Sequence, residues 1–136
     1  MKFLTSETYP NKGLSIVSVE YKGNNYQGSA KLHPDDIWSE FTGCRFAEER
    51  AEIKALKAEY KQKRHDCEEC RKFVAAVRQY SKFNPEDPSA KAMFRQLNRR
   101  IRGVNLLADE INQKEFNLRV AIRQQDKFNS KIIKNG

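Results

Sequence analysis

Phe46, Ile53, Tyr60, Cys67 and Val74 recur every seven residues, and Leu56, Cys70 and Val77 fill the complementary positions. An apolar repeat of that period keeps one seam of a helix turned toward a partner helix. A second run repeats the pattern, with Phe94, Ile101 and Ala108 on one row and Leu97, Val104, Ile111, Leu118 and Ile122 beside it. Between the runs, Asn84-Pro85-Glu86-Asp87-Pro88 cannot continue a helix, and Ser89 offers an N-cap for the next one. Two long antiparallel helices follow from this spacing. Residues 44–82 alone would make a helix of about 57 Å, too long for a small sheet to cover.

The first third has a different period. LSIVSVEYK (14–22) and YQGSAKL (26–32) alternate in part and hold β-branched and aromatic residues, and Gly23-Asn24-Asn25 between them suits a hairpin turn. MKFLTS adds an edge strand through the Pro10-Asn11-Lys12-Gly13 turn. His33-Pro34-Asp35-Asp36 punctuates the chain, Asp35 or Asp36 caps the short IWSEF turn, and Trp38 is expected to join sheet to helices. The fold class is α+β: an antiparallel β-hairpin or small sheet over 1–33, a linker turn and helix over 34–83, and a second helix over 89–130. These make one domain of 136 residues. With 38% hydrophobic and 32% charged residues the apolar supply is modest, so part of the helical seam is expected to be covered by another subunit.

Charge is unevenly spread. Residues 1–88 hold 15 Lys/Arg against 14 Asp/Glu, whereas residues 89–136 hold 11 against 4, so +7 of the net +8 lies in the last third. Such a concentration points to an anionic partner. Placed at 100° per residue with Phe94 on the seam, Asn98, Asn105, Asn112 and Arg119 form one row beside it, and Arg95, Arg102, Phe116 and Arg123 the next. Arg99 and Arg100 point away from this strip and read as ordinary solvated charge.

A strip of arginine and asparagine suits a nucleotide. Guanidinium forks pair bidentately with phosphate oxygens, and carboxamides pair with a base edge or a ribose hydroxyl. Phe83, Phe94 and Tyr80 at the hairpin end supply a stacking surface. The competing reading has the asparagines bridging the helices and the arginines paired with Glu48, Glu52 or Glu59. The candidate ligand-binding set is Phe83, Phe94, Asn98, Arg102, Asn105, Arg119 and Arg123. Arg102 and Arg119 would lie about 25 Å apart on one helix, so one small ligand meets both ends of the strip only through a second, antiparallel chain.

Other motifs read as structure. Cys67-Glu68-Glu69-Cys70 is a C-x-x-C, but it sits mid-helix on the seam with no further ligand on its face, so both thiols are expected to pack as small hydrophobes. His33 beside Asp35 and Asp36 lacks a nucleophile or phosphate loop. The chain has no G-x-x-x-x-G-K-[ST], G-x-G-x-x-G or H-E-x-x-H, so it reads as a non-enzymatic binder without metal or cofactor. With three cysteines and no apolar run of leader or transmembrane length, a reducing cytoplasm is the expected compartment.

The passage YKGNNYQGSAKLHPDDIWSEFTGCRFAEERAEIKALK combines a hairpin, the H-P-D-D punctuation and F-x-x-x-x-G-x-x-x-A-x-x-R-A-x-x-K-A. It resembles small proteins encoded by bacterial viruses, and among them the first-described family of Thoeris anti-defence proteins. The resemblance covers residues 14–57 by pattern and the remainder by layout. It implies a sponge that sequesters the cyclic ADP-ribose-type signal of bacterial TIR proteins without degrading it, in the cytoplasm of the infected host. Some relatives also capture cyclic oligonucleotides at separate pockets. The family assembles into dimers and hexamers, with pockets between protomers where aromatics meet the base and arginines the phosphates. No motif of the family carries over into the second helix, so the site residues rest on the strip alone. A basic nucleic-acid binder, or a factor blocking a protein's nucleic-acid channel, is the alternative.

Light scattering at high micromolar concentration is therefore expected to give a mass above that of one chain, and the mass of a single chain would overturn the shared seam.

Overall fold

The computed structural model describes residues 1–31 and 40–135, with side chains described through Phe128. The N-terminal part of the fold is a three-stranded antiparallel sheet in the order β1-β2-β3, with β1 Lys2–Tyr9, β2 Leu14–Tyr21 and β3 Asn24–Lys31. Two long helices follow, α1 Glu40–Arg78 and α2 Pro88–Asn135. His33, Asp35, Asp36 and Trp38, with the turn they were expected to cap, lie outside the described residues.

The turns refine the expected ones. Lys22 and Gly23 both have positive φ, 51° and 82°, and Tyr21 pairs directly with Asn24. This is a two-residue hairpin whose twist matches its strands, and it requires both central residues at φ > 0. Asn24 and Asn25, expected in the turn, instead open β3. Between β1 and β2, a 3-10 turn over Pro10–Lys12 closes on Gly13, whose φ is 61° and whose N–H donates to the Pro10 carbonyl.

The helix ends differ by a few residues from the spacing. α1 stops at Arg78, because Pro85 disfavours helix at Asn84 and the chain unwinds through tight turns from Val77 to Tyr80 and Tyr80 to Phe83. α2 begins at Pro88 rather than after Ser89. Proline suits the first helical position, where its missing N–H would be unpaired anyway, and the Asp87 carbonyl accepts the Lys91 N–H as the first helical bond.

The chain divides into two compact units, one of residues 1–57 with 111–136 and one of residues 58–110. In the first, alternate residues of β2 (Ser15, Val17 and Val19) are fully or almost fully buried. With Ala30 they face Phe46, Ala47, Ala51 and Ile53 of α1 and Leu118 of α2, while Tyr26, Cys44, Ala121 and Ile122 close the margin. A side chain on Gly28 would strike the Ala47 carbonyl and the Ala51 amide, so strand and helix meet backbone to backbone. Arg50 donates to the Ser29 carbonyl (2.8 Å) and Lys54 to the Gln27 carbonyl (3.3 Å), so two cations of α1 occupy acceptors of β3, an edge strand. Lys57 pairs with Glu115 (2.6 Å) and Glu52 with Lys114 (3.9 Å) in this unit, and in residues 58–110 the helices run antiparallel, with Arg78 over Phe94 and Lys63 and Asp66 sharing a cavity with Arg99 and Arg100.

In the second unit Cys67, Val74, Ala90 and Leu107 are buried. Cys67 thus packs as the spacing suggested, while Cys70 is only half-buried. Phe83 meets the edge of Phe94 at 6.1 Å, and the Arg78 guanidinium lies 5.8 Å above the Phe94 ring.

Gly28→Ala is expected to cost about 3 kcal/mol or more, since backbone cannot yield as a side chain can. Gly103→Ala meets open space on a helix and should instead gain about 1 kcal/mol. Chemical denaturation of the two variants checks the contrast.

Candidate functional site

Where the arginines fall depends on which side of α2 is buried. Leu107, Ile111 and Leu118 are, with Ala90, its buried residues, whereas Phe94, Ile101 and Ala108 are only half-buried. At 100° per residue the first three share an arc centred about 120° away from Phe94. A row of every seventh residue drifts by about 20° per repeat on a straight helix, so the Phe94 row lies at the edge of the seam. The strip therefore sits farther from the core than the spacing suggested. Asn98, Arg102, Asn105, Arg119 and Arg123 are all exposed.

The competing reading, in which these arginines pair with acids of the first helix, finds no such pair among the described residues. Glu52 is taken by Lys114 and Glu59 by Lys63 (3.1 Å), so lysines serve both carboxylates. Among the described residues, no ion pair or hydrogen bond holds Arg95, Arg102, Arg119 or Arg123. Between Asp87 and Asp109 the sequence contains no carboxylate and five cations, Lys91, Arg95, Arg99, Arg100 and Arg102. Local neutralisation is therefore missing over five helical turns.

The candidate residues divide between the units. In residues 58–110, Asn98, Arg102 and Asn105 follow one another at i, i+4 and i+7, the spacing of one helix face. Phe94 opens that face, backed by Phe83 and Arg78. In the other unit, Phe116, Arg119 and Arg123 fall at i, i+3 and i+7, and Phe116 is 54% exposed. An exposed ring beside two unpaired guanidiniums offers stacking and charge together. Phe116 was read as part of the strip but not as a ligand contact, and its exposure brings it in.

The spacing also missed a groove. Phe73, Val77, Lys82 and Phe83 share a concavity of about 570 Å³ with Met93 and Gln96. Phe73 and Tyr80, at 62% and 70% exposure, present their rings to solvent beside it. Its volume lies in the range of small-molecule sites. The signal was Phe73 one residue before the seam position Val74, where a solvent-facing residue would ordinarily be polar. Arg99 and Arg100 add to the reading. Both are exposed, as solvated charge would be, and they also line an open cavity with Lys63 and Asp66 of α1.

Comparison of the chain with protein-family models, curated proteins and solved structures finds no significant match.

Because Arg102 and Arg123 are exposed and without partners among the described residues, Arg102→Glu and Arg123→Glu should each change folding stability by no more than about 0.5 kcal/mol. Thermal melts check this, and a large loss would mean that these arginines hold the fold.

Proposed function

We propose that the protein captures a cyclic nucleotide signal of the cyclic ADP-ribose type and holds it without turning it over. The observation that carries this reading is the division of labour among the cations. Lysines take Glu52 and Glu59 of α1, and the arginines of α2 stay exposed beside asparagine and phenylalanine. A guanidinium fork matches two phosphate oxygens, a carboxamide can both donate to and accept from a base, and a ring stacks on its face. Sequestration needs only these contacts. It requires no nucleophile, metal or cofactor, and the resemblance to phage anti-defence proteins supports the same role in an infected bacterial host.

In this reading Arg119 and Arg123, with Phe116, hold the phosphates and one ring, and Asn98, Arg102 and Asn105 complete recognition from a second copy. Binding is thereby tied to a homo-oligomer, a dimer or a hexamer built from dimers. A polynucleotide partner is the second reading, favoured by the +7 concentrated in residues 89–136.

Calorimetry with cyclic ADP-ribose isomers should give saturable binding, and heating the complex should release the ligand chemically intact. Arg102→Glu or Arg123→Glu should weaken binding by about 2–5 kcal/mol, because a desolvated phosphate loses its partner. Unchanged affinity in both variants would remove the strip as the site. A product other than the original ligand would make the protein an enzyme. Affinity for a polynucleotide that falls steeply with salt, with no affinity for the small ligands, would favour the second reading.

A further inference from the structure

Within residues 58–110, a cavity of about 210 Å³ is lined by Lys63 and Asp66 of α1 and by Arg99 and Arg100 of α2. Arg100 is exposed, yet it falls in a row whose neighbours are partly or fully buried. Met93, Arg100 and Leu107 are spaced by seven, and Leu107 is buried while Met93 is half-buried. The row that packs toward α1 at either end is thus interrupted by a guanidinium, and the cavity opens at that level. Arg99 reaches the same space from the neighbouring position.

The charge around this cavity is unbalanced, with three cations facing one carboxylate. Asp66 Oδ1 already accepts from Gln62 (3.1 Å), and Lys63 has Glu59 at 3.1 Å along its own helix. Among the described residues, neither Arg99 nor Arg100 has an ion pair or a hydrogen bond. Two adjacent guanidiniums and an ammonium around one hollow repel each other, and an anion seated between them removes that repulsion. Two planar forks with a flexible point charge beside them match a tetrahedral group with several charged oxygens, whereas a planar carboxylate would engage only one fork.

We propose that this cleft is a phosphate-binding site, distinct from the exposed Asn98–Arg102–Asn105 face, and that it takes a phosphoryl group from a phosphomonoester or from pyrophosphate. Arg99 and Arg100 hold its oxygens, Lys63 adds charge, and Asp66, which accepts from Gln62, offsets one of the three cations. The site requires neither a second copy of the chain nor the cyclic signal, so it stands or falls apart from the sequestration reading.

Titration of the full chain with pyrophosphate at low ionic strength tests it, and saturable binding of one pyrophosphate per chain is expected. Arg99→Gln with Arg100→Gln should weaken it at least tenfold while the helical circular-dichroism spectrum is retained. Arg71→Glu with Lys72→Glu, a larger charge change on two exposed cations of α1 that pair with Glu68 and Glu69, should alter it less than threefold. Glucose 6-phosphate in place of pyrophosphate should bind and compete with it, as a phosphomonoester must if the phosphoryl group is what is recognised. Absence of saturable binding by the parent chain, or an equal loss in both double variants, would overturn the assignment.

Discussion

The sheet rests on one close approach, that of Gly28 to the backbone of Ala47 and Ala51. Nothing larger than hydrogen fits on the strand there, and alanine is the side chain on the helix at both neighbouring contacts. Because the backbones meet, β2 can sink Ser15, Val17 and Val19 onto α1 with almost no exposure. Arg50 and Lys54 then reach carbonyls of β3 from the same helix. A three-stranded sheet is marginal alone, and this contact converts it into one face of a core that also takes in Leu118, Ala121 and Ile122 of α2. The orientation of Arg119 and Arg123 follows, since they share a helix turn or two with residues that cannot leave that core. Ser15 carries a cost of the same approach. Its hydroxyl is buried without a partner among the described residues, in the space that a side chain on Gly43 would need.

The two cation types do different work. Lysine, a flexible point charge, makes the pairs that cross between helices, Lys57 with Glu115 and Lys114 with Glu52. These pairs are partly exposed and contribute little stability each, about 0–1 kcal/mol. Their importance lies in what they leave over. With Glu52 and Glu59 of α1 taken by lysine, neither of those acids holds an arginine of α2. A cation whose partner has been taken by another residue must be hydrated, stacked or bound to something outside the chain.

Much of this was legible in the sequence, for identifiable reasons. The seven-residue spacing located both helices, because the period of an apolar seam is a property of the chain alone. Two β-branched runs located β2 and β3, but the hairpin turn fell one residue earlier than glycine and asparagine suggested. Lys22 adopts positive φ there, and lysine gives no signal for it. The strip of Asn98, Arg102, Asn105, Arg119 and Arg123 was legible as a face, while its distance from the core was not. That distance depends on which of two neighbouring rows becomes the seam, and Phe94, Ile101 and Ala108 were as good a choice as Leu107, Ile111 and Leu118. The same ambiguity hid the cavity beside Arg100, which is exposed but stands in the row of Met93 and Leu107.

Arg100 also bears on why the helix pair tolerates weak packing in its second unit. A seam made only of leucine and valine would close along that stretch and bury more apolar surface. Here an arginine stands in the row, a glycine at position 103 meets no neighbour within 4 Å, and the apolar Phe73 and Tyr80 are left outside. Each of these choices forgoes stability that a simple leucine would supply, by about 1–3 kcal/mol per buried side chain. The first unit makes the opposite choices, with glycine and alanine placed where they permit contact and valine where it is buried. The first unit thus packs closely around β2, while the second keeps open cavities along its helices. Stability withheld from the second unit can be recovered on binding, since any anion that prefers the folded chain adds its own free energy to it.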